Sequence, residues 1–269
     1  MMNPNKLKEK TVLITGAAGG LGRELCLSFG EHGANVIAID IQEEKLFTLK
    51  TFLEEKNITC QTFLCDITNK EQCREIIQQF ESIDIVIHNA TLSHRSPFID
   101  TNLDVYEKII SVNINGTINL THYTLPHIIR NKGTYIAISS VAGFAPLYGR
   151  TGYAASKHAL HGFFETLRAE VEDQGVNILL VCPSFMKTAL EHTALGGDGK
   201  HVIQGKKTIG SILTPEYVAR CILKGVFNKK KRIYISPIAK ASLWISRLAP
   251  NLYGKIMKRK IGEEFVIKQ

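Results

Sequence analysis

The stretch "TVLITGAAGGLG", residues 11–22, joins an apolar run to a cluster of glycines. Thr11, Val12, Ile14 and Thr15 are β-branched and favour a strand, and the run ends at Gly16, which can take backbone conformations closed to other residues. Helical spacing begins at once, with Leu21, Leu25 and Phe29 at four-residue intervals. The same alternation repeats outward from this unit. "NVIAID" (35–40), "TCQTFLCD" (59–66), "IDIVIHNA" (83–90), "TYIAISS" (134–140), "NILLVCP" (177–183) and "RIYIS" (232–236) read as strands. Helices are predicted near 43–56, 69–80, 102–131, 153–174 and 215–228. Nearly continuous apolar strands alternating with helices form a parallel sheet covered on both faces. The fold class is therefore α/β, a doubly wound, Rossmann-like parallel sheet, and ligands of such sheets bind beyond the carboxyl ends of the strands.

Residues 184–213 interrupt the rhythm with "GGDG" (196–199) and little apolar period, so a substrate lid is expected there. One domain is expected over 1–236, followed by a basic amphipathic extension, 237–269. The 269 residues are 44% hydrophobic and 22% charged, enough apolar material for a sizeable core. The net charge of +8 is local: from Tyr217 to Gly262 there are twelve Lys and Arg and no acid. Six cysteines without a CxxC pair read as free, mostly buried thiols of a reducing compartment. The start, "MMNPNKLKEK", is polar, and no run is long and apolar enough to span a bilayer. The expected location is cytoplasmic, with possible membrane association through the tail.

The glycine turn carries the first chemistry. Gly16, Gly20 and Gly22, with Leu21 between the last two, sit between strand and helix, where backbone can approach a pyrophosphate and the helix N-terminus offers unpaired N–H groups. The spacing is not the usual GxGxxG; the position between the first strand and first helix makes it a dinucleotide signal. Asp40 ends the second strand eighteen residues after Gly22. A carboxylate there accepts from ribose hydroxyls and repels a 2′-phosphate, which favours NAD over NADP. Downstream, "YAASK" (153–157) places Tyr153 and Lys157 four residues apart, on one helix face, with small residues between them.

With these motifs in order, the chain resembles the short-chain dehydrogenase/reductase family, in its single-domain branch, from about Lys10 to about Ser236. The resemblance rests on "TGAAGGLG", the Asp of "CDIT", "HNA" after the fourth strand, "VN" at 112–113, "SS" at 139–140, "YAASK" and "PSFMKT" at 183–188. It implies that Tyr153 is the general acid/base, that Lys157 holds the nicotinamide ribose and favours the tyrosinate, and that Ser140, rather than Ser139, hydrogen-bonds the substrate carbonyl. It further implies that Asn113 holds a relay water, that Asp66 and Ile67 lie near adenine, Asn89 and Ala90 near the adenosine ribose, and Thr188 near the carboxamide. A phenol titrates at about 10, so activity near neutrality needs cations beside it. The expected activity is hydride transfer between a nicotinamide cofactor and a secondary alcohol, ketone or aldehyde. The alternatives are an NADP-dependent carbonyl reductase or a nucleotide-sensing protein without turnover. A sugar-nucleotide epimerase shares the Tyr–Lys pair but needs a longer C-terminal substrate domain.

Two departures stand out: His88-Asn89-Ala90-Thr91 where the family usually reads Asn-Asn-Ala-Gly, and Pro183-Ser184 where it reads Pro-Gly. Thr91 puts a β-carbon where glycine lets backbone approach the cofactor. The nine histidines form no ligand cluster and no metal is expected. His158 and His161 are read as structural or exposed, and His94 as a possible substrate contact. Phe144, Pro146, Leu147, Tyr148, Phe185, Met186 and Leu190 suggest an apolar pocket and a hydrophobic, lipid-like or steroid-like substrate. The tail disperses Ile238, Trp244, Ile245, Leu248, Leu252, Ile256 and Met257 among Lys and Arg. A basic amphipathic helix of this kind fits a lipid headgroup layer, an apolar substrate entrance or a sister subunit. A homo-oligomer is expected. Nucleic-acid binding is not, since no recognition motif accompanies the charge.

Overall fold

The structure, a computed structural model, describes residues 5–187, 194–202, 208 and 210–265. Seven strands make one parallel sheet: β1 (Thr11–Thr15), β2 (Asn35–Asp40), β3 (Cys60–Leu64), β4 (Ile85–His88), β5 (Thr134–Ile138), β6 (Asn177–Pro183) and β7 (Arg232–Ile235). Their order is β3-β2-β1-β4-β5-β6-β7, and every pair is parallel. The chain winds outward from β1 to β3, returns to β4 and winds the other way. The crevice between β1 and β4 is thus the topological switch point.

Because successive strand residues face opposite sides, each strand feeds two cores. Val12 and Ile14 of β1 pack with α1 (Gly20–Gly30), α2 (Glu43–Glu54) and, beyond them, α7 (Pro215–Phe227). Leu13 joins the opposite core, built on α3 (Lys70–Ile77), α5 (Gly116–Arg130) and α6 (Thr151–Val171). All six cysteines are free thiols, and Cys60 and Cys221 are only half-buried.

The helix expected over 102–131 is not uninterrupted. It runs as α4 (Leu103–Ile110), a π-helical turn (Ser111–Asn115) and then α5. Such a turn holds one extra residue and recurs at functional sites; here it contains Asn113. The tail differs as well. It is two helices, α8 (Pro237–Leu248) and α9 (Pro250–Ile261), packed on each other. Pro250 lacks an amide donor and pushes Ala249 out of the helical region, to φ −140° and ψ 63°. Tyr253, Met257 and Ile261, one face of α9, are buried against Ala145 with Leu147, Phe185 and Phe265 around them. Trp244, Leu248, Leu252 and Ile256 stay exposed.

The described parts of the expected lid are laced to their surroundings. The N–H of Leu213 donates to the carbonyl of Phe185, and that of Lys187 to the carbonyl of Leu213, both at 2.9 Å. Leu195 bonds to Ser93 and Arg95 through backbone groups at 2.9 and 2.8 Å. Among the described residues no helix is long and apolar enough to cross a membrane.

Candidate active site

A cavity of about 890 Å³ opens beyond the carboxyl ends of the strands. Its wall runs from the glycine turn through Asp40, Asp66 and Ala90 to Ser140, Tyr153 and Lys157. At two positions of the glycine turn there is no room for a side chain. Gly16 has φ +61°, and a Cβ there would lie 2.8 Å from Cα of Ala90; a Cβ on Gly22 would lie 2.1 Å from the carbonyl oxygen of Gly16. Helix α1 begins with no side-chain cap and no acid in its first turn, so its first N–H groups suit an anion. Gly20 and Leu21 line the cavity beside it. This cradle of bare backbone, together with Asp40 on the same wall, fits a dinucleotide.

Asn89 and Ala90 secure that turn. Nδ2 of Asn89 donates to the carbonyls of Thr15 and Gly16, both at 3.0 Å. Oγ1 of Thr15 accepts from the backbone N–H of Asn89 at 3.1 Å and of Ala90 at 3.0 Å. Asp40 is buried, with Oδ2 accepting from the N–H of Ala18 at 3.0 Å and Oδ1 from that of Gln42 at 3.1 Å. Asp66 turns Oδ1 to the N–H and hydroxyl of Thr68, at 2.9 and 2.8 Å, beside buried Ile67. Thr188, expected at the carboxamide, lies outside the described residues, as does Leu190.

Asn113, expected to hold a relay water, has its side chain fully engaged. Its Oδ1 accepts from the N–H of Leu92 at 2.7 Å and the hydroxyl of Thr91 at 3.1 Å. Its Nδ2 donates to the carbonyl of Leu92 and to Oγ of Ser156, both at 2.9 Å. A primary amide has two acceptor sites and two donors, so the side chain is saturated. The backbone carbonyl accepts from the hydroxyl of Thr117 at 2.9 Å. Thr91, the departure from glycine, is the residue that completes this set.

The two serines divide as their neighbours dictate. Oγ of Ser139 is 2.8 Å from Nε2 of buried His161, turned toward the core. Ser140 accepts from the N–H of Ala142 at 3.2 Å and acts on the Tyr153 hydroxyl as a hydrogen-bond partner. Burial raises the phenol of Tyr153 above its ordinary value, against the smaller lowering effects of Ser140 and of the Arg150 charge. Lys157, expected to favour the tyrosinate, lies in the cavity wall. It is 2% exposed, and burial pulls its ammonium down to about 7. Nζ donates to the carbonyl of Ile138 at 2.8 Å and lies 5.6 Å from the centre of the Tyr153 ring. The neighbouring Cys182 thiol is pushed up to about 12 by burial.

Two histidines near the site are buried and uncharged. His88 stacks on Tyr135 with ring centres 5.7 Å apart, and desolvation holds it at about 3. His94 is fully buried against Tyr106, held at about 4 by burial and the Arg150 charge, and is not on the cavity wall. Of the expected apolar pocket residues, Leu147, Phe185 and Met186 line the cavity. Phe144 instead packs on Tyr234, and Tyr148 on Phe265. Lining residues that escaped the sequence reading include Lys45, Arg95, Arg150 and His201. Arg150 stands three residues before Tyr153, at the N-cap of α6. Among the described residues no cluster of His, Cys, Asp and Glu suits a metal ion.

The family model described as short chain dehydrogenase matches residues 10–196, more than half of the chain. The chain belongs to the short-chain dehydrogenase family. Among curated relatives of this short-chain dehydrogenase, a dehydrogenase/reductase SDR family protein 7-like of Anopheles gambiae is 33% identical, covering 96% of this chain and 85% of the relative. A dehydrogenase/reductase SDR family member 7B of Danio rerio is 31% identical over 97% of this chain and 89% of its own. Solved short-chain dehydrogenases share the fold. One from Burkholderia phymatum, in complex with NAD, has a TM-score of 0.81 at 19% identity, covering 94% of this chain and 96% of that one. One from Burkholderia cenocepacia, in complex with NADP, has a TM-score of 0.79 at 20% identity, covering 93% and 98%.

Proposed function

We propose that this short-chain dehydrogenase interconverts a secondary alcohol and a ketone or aldehyde, with a nicotinamide dinucleotide held along the β1–β4 crevice. The observation that carries the reading is the convergence of Ser140, Tyr153 and Lys157 on the cavity that begins at the glycine turn. When bound, the dinucleotide supplies a hydride donor or acceptor. The glycine turn and α1 N-terminus would hold its pyrophosphate, Asp40 a ribose, and Asp66 and Ile67 the adenine side. Lys157, already inside the wall, would hold the second ribose.

Within that arrangement Tyr153 exchanges a proton with the substrate oxygen and Ser140 donates a hydrogen bond to it. Asn113 is a positioning residue: its amide ties the loop at Leu92 to Ser156, whose hydroxyl donates to the carbonyl of Tyr153 at 2.8 Å. Leu147, Phe185 and Met186 favour a substrate with a sizeable apolar body. The Asp40 carboxylate favours NAD. Lys45, a cation on the same wall, is the specific reason to keep NADP as a second reading, and fluorescence titration of NADH against NADPH separates the two. Contact between the exposed apolar stripe of α8–α9 and a lipid surface, and assembly of like subunits, belong to the same proposal.

The test is Tyr153→Phe assayed on a panel of hydrophobic alcohols and ketones. Turnover is expected to vanish while nucleotide affinity stays near wild type. Retained turnover refutes the role of Tyr153, and a wild-type protein inert on the whole panel with both nucleotides refutes the activity.

A further inference from the structure

The segment that follows α9 meets a residue of the cavity wall from behind. After α9, Gly262–Glu264 forms a short turn, and Glu264 meets Arg150 there. Nη2 of Arg150 donates to Oε2 of Glu264 at 3.0 Å, and the two side chains are only 6% and 5% exposed. Nη1 of Arg150 donates to the carbonyl of Tyr148 at 3.1 Å. The next residue, Phe265, lies against Tyr148 with ring centres 5.7 Å apart and fills the space over Gly149, where a Cβ would come 2.3 Å from the ring. Gly149 has φ +67°. The loop before α6 and the chain's end are thus built to each other's shape.

Arg150 caps α6 three residues ahead of Tyr153 and lines the same cavity. A buried guanidinium keeps its charge at any pH the protein survives, and in a water-poor wall that charge acts over several ångströms. Other groups facing the phenol or its neighbours divide clearly. Ser140, from the end of β5, is a neutral hydrogen-bond partner. Lys157, from α6 itself, is bonded to Ile138. His94, beside Arg150 on the loop after β4, and His161, deeper on α6, are held neutral by burial, each at about 4. Arg95, on that same loop, adds a second positive charge near Arg150. Glu264 is the carboxylate paired with Arg150 at this wall.

We propose that Arg150 is a positioning residue for the proton chemistry at Tyr153, and that Glu264 sets how much of its charge the phenol feels. Docking of the chain's end then tunes the active site through one ion pair. The idea deepens the proposed oxidoreductase reading, yet it concerns the phenol itself and can be tested without turnover. Protein labelled with ¹³C at Cζ of tyrosine is titrated by NMR, the Tyr153 resonance being assigned by its absence in Tyr153→Phe. Glu264→Gln is expected to lower the Tyr153 midpoint by on the order of 1 pH unit. Arg150→Met is expected to raise it, and Arg150→Lys, which keeps the charge, to stay close to wild type. The double variant Arg150→Met/Glu264→Gln removes both members of the pair and is expected to lose the lowering seen in Glu264→Gln. An unmoved midpoint in Glu264→Gln, or a double variant that keeps the lowering, overturns the proposal. So does a shift of both single variants in the same direction, the mark of a merely structural effect. If wild type proves inert on every alcohol while these shifts appear, the oxidoreductase reading fails and the coupling stands.

Discussion

Asn113→Ala offers the sharpest test of how the site is held. The substitution removes four hydrogen bonds, but their loss is unequal. Ser156 keeps its bond to the carbonyl of Tyr153, and the Thr91 hydroxyl retains a contact to the carbonyl of Leu92 at 3.5 Å. The backbone N–H of Leu92 loses its 2.7 Å acceptor, and the carbonyl of Leu92 loses its 2.9 Å donor. At about 1–3 kcal/mol for each buried group left unsatisfied, the destabilisation is about 3 kcal/mol. For a domain of this size that corresponds to a melting temperature lower by roughly 6–12 °C. Thr91→Val, which removes one hydroxyl and leaves its partner well bonded, is expected to lose about 1 kcal/mol. Calorimetry on the three proteins gives the ranking. An Asn113→Ala protein that melts no lower than Thr91→Val would refute the saturated-amide account.

Three further outcomes are expected. Gly22→Ala, whose Cβ would sit 2.1 Å from the carbonyl oxygen of Gly16, should weaken nucleotide binding by more than about tenfold; Gly162→Ala, with nothing within 4 Å of the new methyl, should leave the titration unchanged. Lys157 titrates at about 7 in the folded chain, well below an unfolded lysine at about 10.4. Between those values the unfolded chain binds the extra proton, so this site's contribution to stability rises as pH increases from about 7 towards 10. Urea midpoints of wild type should therefore climb relative to Lys157→Met over that range, and a flat difference would show that the ammonium is not desolvated. Serine at Trp244, Leu248, Leu252 and Ile256, which are 62%, 78%, 53% and 40% exposed, should abolish flotation with anionic liposomes, and equal recovery would dispose of membrane contact.

The sheet was readable because a strand covered on both faces must be apolar along its whole length, as "TVLIT" and "NILLVCP" are. The nucleotide cradle was readable for a related reason: Gly16 and Gly22 stand where only hydrogen fits, and a missing side chain is visible in sequence. What escaped depended on contacts between distant residues. Nothing local marks Arg150 as the partner of Glu264, 114 positions later. The π turn escaped because one added residue barely disturbs helical periodicity over 102–131. Pro250 did announce the break in the tail, but the apolar spacing on either side of it reads equally well as one helix. Lys157 was placed in the cavity wall by its spacing from Tyr153, but its near-complete burial depends on Ile138 and the rest of the wall and could not be read there.

The π turn has an engineering consequence. Each residue advances a helix by about 100°, so the extra one rotates everything downstream by that angle relative to an unbroken α-helix. Leu120 and Ile128, fully buried on the sheet side of α5, owe their heading to this offset. Wound as unbroken α-helix, the same sequence would swing them round toward solvent, whereas excising one position from 111–115 would close the turn and leave their heading unchanged, so this short segment tolerates the loss of a residue better than straightening at full length.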